Sequence, residues 1–301
     1  MKILLTGSSG QLGRVLAQPL KQLGDLSAPK RAALDLADGQ ALKDALESAQ
    51  PDLIVNAAAY TDVDRAETET RQTYLVNAAA PEIMARWAAT RGVPLLHIST
   101  DYVYSGAGDT PNEEDEAAAP LNAYGASKLA GDEAIAQSGA PHLILRTSWL
   151  YSATGRNFLT TILNAARSRE ELRVVEDQVG APTPAALVAA IAMEILQAGD
   201  PRETFATSGG VVHAAAAGAA SRHEFARAIV DGLRKRGCDL AAQRVVPVPS
   251  AEMPTPAKRP LNSRLSLERL SKRFGIEPPD WRAALKPVLD TVARAEKKPA
   301  P

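Results

Sequence analysis

The sequence predicts an α/β fold, a doubly wound parallel sheet with a second, smaller α/β domain beside it. Two observations carry this. Short apolar runs recur along the first half: Ile3-Leu4-Leu5, Leu53-Ile54-Val55, Leu95-Leu96-His97-Ile98 and Leu143-Ile144-Leu145. Each lacks alternation and is bounded by Gly, Pro, Asn or Asp, which is how a strand covered on both faces reads. Between them lie stretches with helical spacing, and strand-then-helix repetition builds a parallel sheet flanked by helices. Residues 1–150 are read as the doubly wound domain, with segments of about 172–215 returning to it. Residues 151–301 are mostly the smaller domain, so the boundary is discontinuous.

The first helix is expected over Gln11–Leu23, where Leu12, Leu16, Leu20 and Leu23 share one face. The turn before it reads Thr6-Gly7-Ser8-Ser9-Gly10-Gln11-Leu12-Gly13. Gly7, Gly10 and Gly13 sit between a strand and a helix. That composition suits a tight turn, close approach of backbone to a phosphate, and close helix–strand packing. The helix N-terminus then offers free N–H groups and a positive dipole end to an anion. A glycine-rich turn alone is weak, but in this strand–turn–helix context it reads as a dinucleotide site.

The region about 20 residues further on is where the adenosine ribose is read. Here it contains Lys30, Arg31, Asp35 and Leu36. Lys30 and Arg31 suit a 2′-phosphate and favour NADPH. Asp35 suits an adenosine contact and leaves NADH as the alternative.

The third of the four runs ends in Ser99-Thr100-Asp101-Tyr102. Open α/β sheets bind ligands at the carboxyl ends of their strands, so the hydroxyl of Ser99 or Thr100 is a candidate to hold a carbonyl oxygen. A further helix is expected at Ala80–Ala89. Tyr124 and Lys128 then stand one helical turn apart on one face. A phenol is a poor acid at neutral pH, and a neighbouring ammonium favours its ionised form. The pair reads as a proton donor and its tuner, whereas alone it reads equally as a tyrosine packed beneath a lysine stem.

Beyond residue 150 helices are expected at Asn157–Arg169, Pro184–Gln197 and Ser221–Arg234, between proline clusters that mark loops. The tail Glu296–Pro301 is expected to fray.

The composition excludes several classes. Apolar residues make up 45% and charged residues 23% of 301, as in soluble globular proteins rather than disordered ones. A net charge of −1 gives no overall basic footprint for nucleic acid. One cysteine, Cys238, excludes an internal disulfide framework. No apolar window suits a membrane span or signal-peptide core, so no membrane partner and a cytoplasmic location are expected. The four histidines have no metal-ligand spacing, and no metal is expected.

Taken together, these residues resemble the extended short-chain dehydrogenase/reductase superfamily, with its Rossmann sheet, and within it the dTDP-4-dehydrorhamnose reductase family. The resemblance runs over nearly the whole chain. It is carried by Gly7–Gly13, Asn56–Asp64, Ser99–Tyr104, Pro120–Gly131, Arg146–Tyr151, Asn157-Phe158, Asp177–Thr183 and Arg259–Leu265. It implies reduction of the C4 ketone of a dTDP-linked 4-keto-6-deoxy sugar, with NADPH (or NADH) giving hydride. Tyr124 would be the proton donor. Lys128 would bind the nicotinamide ribose and lower the tyrosine pKa, and Thr100 would hold the carbonyl. Gly10, Gln11 and Leu12 would contact the pyrophosphate. Asp35 and Leu36 would lie near adenine, and Ala59, Tyr60 and Thr61 along the cofactor. Asp101, Tyr102, Trp149, Asn157 and Arg259 would belong to the substrate side. Monomer and homodimer both stay open: Val15 stands where some relatives carry a glutamate linked to metal-bridged pairing. A tryptophan is common in the family where this chain has Arg222. Another nucleotide-sugar 4-ketoreductase or epimerase, and a non-catalytic NADP-binding regulatory subunit, are the alternatives.

Overall fold

Consecutive apolar residues in a strand point to opposite faces, so each run needs cover on both sides. The computed structural model, which describes residues 1–296, supplies it. The tail 297–301 lies outside the described residues. In chain order the main strands of the first half are β1 (Lys2–Thr6), β2 (Asp25–Ser27), β3 (Leu53–Asn56), β4 (Leu95–Thr100) and β5 (His142–Thr147). There follow β6 (Leu150–Tyr151), β7 (Glu171–Val175), β8 (Val179–Gly180), β9 (Thr183–Pro184) and β10 (Gly210–His213). The last are β11 (Ala220–Ser221), β12 (Arg244–Val248) and β13 (Asn262–Ser263).

Six parallel strands form the main sheet in the order β10-β5-β4-β3-β1-β2. Ile3 and Leu5 of β1 enter one core and Leu4 the other; Leu53, Val55 and Ile54 of β3 divide the same way. On the first face lie helices α1 (Gln11–Leu23) and α8 (Ala185–Gln197), bringing Leu12, Leu16, Val188 and Ile191. On the other lie α2 (Gly39–Ala49), α5 (Ala80–Ala89) and α6 (Ala123–Gln137), bringing Leu42, Met84 and Ile135. Short helices α3 (Val63–Ala66) and α4 (Thr70–Tyr74) precede α5.

A separate core joins α7 (Phe158–Ser168), α10 (Arg222–Arg234) and α12 (Trp281–Glu296) around Ile162, Phe225 and Trp281. Leu172 and Val174 of β7 pack there, and β7 pairs in parallel with β12. The rest of the interval from 172 to 215 divides: β8 and β9 join small sheets, whereas α8 and β10 return to the main one. Helices α9 (Pro201–Ser208) and α11 (Glu268–Phe274) complete the set. The strand order 2-1-3 places the topological switch between β1 and β3, where open α/β sheets form a ligand crevice at their carboxyl ends.

Candidate active site

A cleft of about 1110 Å³ opens at that crevice and runs from the carboxyl ends of β1, β3 and β4 to the second core. This exceeds the roughly 300–1,000 Å³ of a pocket for one small ligand, and its two ends differ in chemistry.

At one end stands α1. Its N-cap, Gly10, has no side-chain hydrogen bond to the first turn, so the leading N–H groups are left for a ligand. Gly10, Gln11 and Leu12 line the cleft. Gly7 has φ +73°, and a Cβ on Gly13 would lie 2.1 Å from the Gly7 carbonyl oxygen. Gly13 therefore lets the helix close on the turn and does not itself line the cleft. These features fit a pyrophosphate. Leu34, Asp35, Leu36, Ala59, Tyr60 and Thr61 continue the same wall. Of the basic pair, Arg31 lines the cleft and Lys30 does not; Arg31 stands 3.7 Å from Asp35. Tyr60 is held by its backbone N–H donating to Asn77 Oδ1 (2.7 Å) and its hydroxyl donating to Glu69 (2.6 Å).

In the middle, α6 carries Tyr124 and Lys128 to the end of β4. Asn122 caps the helix, accepting from the Gly125 N–H at 2.8 Å. Tyr124 packs edge-on against Tyr102, ring centroids 5.7 Å apart. Thr100 Oγ1 hydrogen-bonds the Tyr124 phenol, donates to Asp101 Oδ1 (3.1 Å) and accepts from the Tyr102 N–H (3.2 Å). Burial raises the phenol's pKa well above its ordinary value, and the Thr100 hydroxyl offsets part of that rise. Asp101 is pushed up to about 6, chiefly by burial.

Lys128 is only 1% exposed. Its Nζ donates to the Ile98 carbonyl at 2.7 Å and lies 2.8 Å from His97 Nε2. Burial lowers its pKa to about 8 against the opposing pull of Asp132. Asp132 follows one turn after Lys128, its Oδ2 accepting from Ser99 Oγ (2.8 Å) and Arg146 Nε (3.0 Å). His97 and Asp132 are two site residues that pattern reading missed. The one signal for His97 was a polar side chain inside an otherwise apolar buried strand.

The family model described as the RmlD substrate binding domain matches residues 1–294. A dTDP-4-dehydrorhamnose reductase of Burkholderia thailandensis is 44% identical over 95% of this chain and 97% of its own. One from Escherichia coli K12 is 40% identical over 96% and 97%. The chain belongs to the dTDP-4-dehydrorhamnose reductase family. Among solved structures, the Clostridium acetobutylicum reductase superposes with a TM-score of 0.88 at 33% identity, covering 97% of this chain and 99% of that one. The Bacillus anthracis reductase, solved in complex with NADP, gives 0.86 at 31% identity over 96% and 99%.

The far end of the cleft is built around Trp149 and Arg222. Trp149 adopts the left-handed backbone region, φ +46°, a costly conformation for a bulky residue. Its ring is covered by Arg222, whose guanidinium carbon lies 3.5 Å from the ring centroid and 5.1 Å from that of Phe158. Arg222 also hydrogen-bonds Tyr102. Arg222 is thus a cation packed on two aromatic faces. Arg259 lines the cleft with its guanidinium forked onto Asp64 (3.0 and 2.8 Å). Asn157 also lines it, but its carboxamide is committed to capping α7: Oδ1 accepts from the Thr160 N–H and Nδ2 donates to the Ser152 and Thr154 carbonyls. Ser152 Oγ donates to Gln11 Oε1 at 3.0 Å, tying the two ends of the cleft together. Among the described residues no cluster of His, Cys, Asp or Glu suits a metal ion, and no helix is long and apolar enough to cross a membrane.

Proposed function

We infer that the protein reduces the C4 ketone of dTDP-4-dehydro-6-deoxy-L-mannose to give dTDP-L-rhamnose. The observation that carries this is one continuous cleft joining an uncapped helix N-terminus to a Thr100/Tyr124/Lys128 group in its wall. NADPH, when bound, supplies the hydride.

The residues of the chain do the rest. The backbone N–H groups at Gln11 and Leu12 would hold the cofactor pyrophosphate, with Gly10, whose own N–H donates to the Gly7 carbonyl at 2.9 Å, forming the turn beneath it, and Arg31 would face its adenosine end. Thr100 Oγ1 and the Tyr124 hydroxyl converge on the ketone oxygen. The raised phenol pKa keeps the proton on Tyr124 through neutral pH, where a donor must carry it. As negative charge grows on the sugar oxygen, Tyr124 transfers that proton, and Lys128 in its ammonium form stabilises the phenolate left behind. Asp101, Tyr102, Trp149 and Arg222 shape the sugar side and Arg259 closes it. With all three groups intact at the site, a non-catalytic regulatory subunit is the weaker reading. The reaction partner is a small soluble nucleotide sugar, and we place the reaction in the cytoplasm.

The test is loss of nicotinamide absorbance with a panel of dTDP-, UDP- and GDP-linked 4-keto sugars. The dTDP-4-dehydrorhamnose member is expected to turn over fastest with NADPH. Absence of turnover on every member of the panel would overturn the reading.

A further inference from the structure

Behind Lys128 lies a row of polar side chains in register across three strands. Thr6, Asn56 and His97 are neighbours on β1, β3 and β4. Thr6 and Asn56 are buried, and His97 is fully so. Their hydrogen bonds can be followed in one direction only. The Ala58 backbone N–H donates to Asn56 Oδ1 at 3.2 Å, and a backbone N–H can only donate. Thr6 Oγ1 donates to the same oxygen at 2.7 Å. The other carboxamide atom facing His97 Nδ1, at 2.9 Å, is therefore the NH2 group. An amide NH2 donates, so Nδ1 is the acceptor. In a neutral imidazole the proton must then sit on Nε2.

That proton faces Lys128 Nζ at 2.8 Å. A donor aimed at an ammonium has no acceptor there; aimed at a neutral amine it meets a lone pair. Asp132 Oδ1, buried and without a hydrogen-bond partner, stands 3.8 Å from the same Nε2, which favours a proton at that nitrogen. Burial keeps His97 neutral, its pKa well below the ordinary imidazole value. Charging Lys128 while keeping its contact to His97 requires the ring proton to move to Nδ1. The Asn56 carboxamide must then turn over, and the Ala58 N–H loses its acceptor.

We propose that Asn56 and His97 are positioning residues that fix the imidazole tautomer and thereby bias Lys128 towards the neutral amine. The inference rests on the reductase reading only in its kinetic consequence. The groups facing Lys128 are Tyr124 and Asp132 on its own helix, His97 on β4, and Arg146 on β5 through Asp132. Of these, Asp132 favours the ammonium and His97 opposes it. The balance between them makes the charge beside the phenol titratable near neutral pH.

Two measurements test this. The 15N resonances of the His97 ring at pH 9, where the Lys128 amine is neutral, assigned by difference with His97→Gln, are expected to show the Nε2–H tautomer. An Nδ1–H tautomer in the unmodified protein overturns the proposal, whether or not the protein turns over any sugar. The second measurement is the pH profile of kcat/KM in Asn56→Asp. There a carboxylate accepts from both Ala58 and a newly protonated Nδ1, leaving Nε2 to accept from the ammonium. The alkaline limb is expected to move up by at least one pH unit, a tenfold gain in proton affinity. A limb that stays in place while the ring tautomer reverses overturns the coupling. If Asn56→Asp does not fold, the tautomer in the unmodified protein decides the matter alone.

Discussion

Replacing Tyr124 by Phe removes one oxygen and little else, so its consequences can be worked through. The ring keeps its edge contact with Tyr102. Thr100 Oγ1 keeps Asp101 Oδ1 as acceptor and the Tyr102 N–H as donor, so no buried polar group is stranded. The fold should lose no more than the net value of one hydrogen bond, about 1 kcal/mol. For a chain of this size that is a fall in Tm of about 2–4 °C. The chemical step loses its proton donor, and positioned acid–base groups contribute about 10²–10⁴-fold. That corresponds to about 3–5 kcal/mol on the barrier. The cofactor wall formed by α1 and Asp35–Leu36 is untouched, so NADPH affinity should change by less than about threefold, under 1 kcal/mol. Single-turnover absorbance with saturating dTDP-4-dehydrorhamnose gives the first quantity and calorimetric titration of NADPH the second. Turnover within threefold of the parent, with the fold intact, would remove Tyr124 as the donor.

Three further outcomes follow from the geometry. Arg31→Ala should weaken NADPH by about fivefold and NADH little, since an exposed charge–phosphate contact is worth about 1 kcal/mol; Lys30→Ala should change neither, and equal losses for both cofactors would count against a 2′-phosphate contact. Gly125→Ala would put a Cβ 2.1 Å from the Tyr102 carbonyl oxygen, so α6 must shift; overpacking of about 1–3 kcal/mol and a fall in kcat are expected by thermal melting and assay, and unchanged values of both would contradict the packing. His213 is held down to about 3, mainly by burial. Its folded pKa lies below the unfolded one, so its contribution to stability is present above about pH 6.5 and is lost as pH falls towards 3. His213→Gln should therefore remove about one proton from the uptake on unfolding between those values, read from denaturant melts across pH; an unchanged slope would refute it.

Legibility followed the physics of each segment. The apolar strands of the main sheet were readable because every residue in Leu53–Val55 or Leu143–Leu145 is buried. Strand β2 was not, because Asp25–Ser27 is an edge with one partner and no fully buried residue. Helix α12 was not anticipated; it carries Pro287 in its interior and continues through it. Within the site, Tyr124 and Lys128 were visible from their helical spacing. The contact from Thr6 to His97 was invisible, because it depends on strand register across residues far apart in the chain. Asn157 lines the cleft, but its capping bonds could be seen only in three dimensions. Arg222 stood out as a departure, and its stacking on Trp149 gives that departure a place.

The route of the chain through the main sheet bears on how the protein is made. Strand β5 lies between β4 and β10, yet β10 arrives only after the chain has left the sheet to form α7 and β7. While the polypeptide is emerging from the ribosome, the edge carrying Leu143–Leu145 stays open until residue 213 has been synthesised. An open apolar strand edge is a template for wrong pairing. The interval between those two points of translation is therefore exposed to aggregation. Cutting the gene near codon 150 would leave the upstream piece with that edge permanently bare.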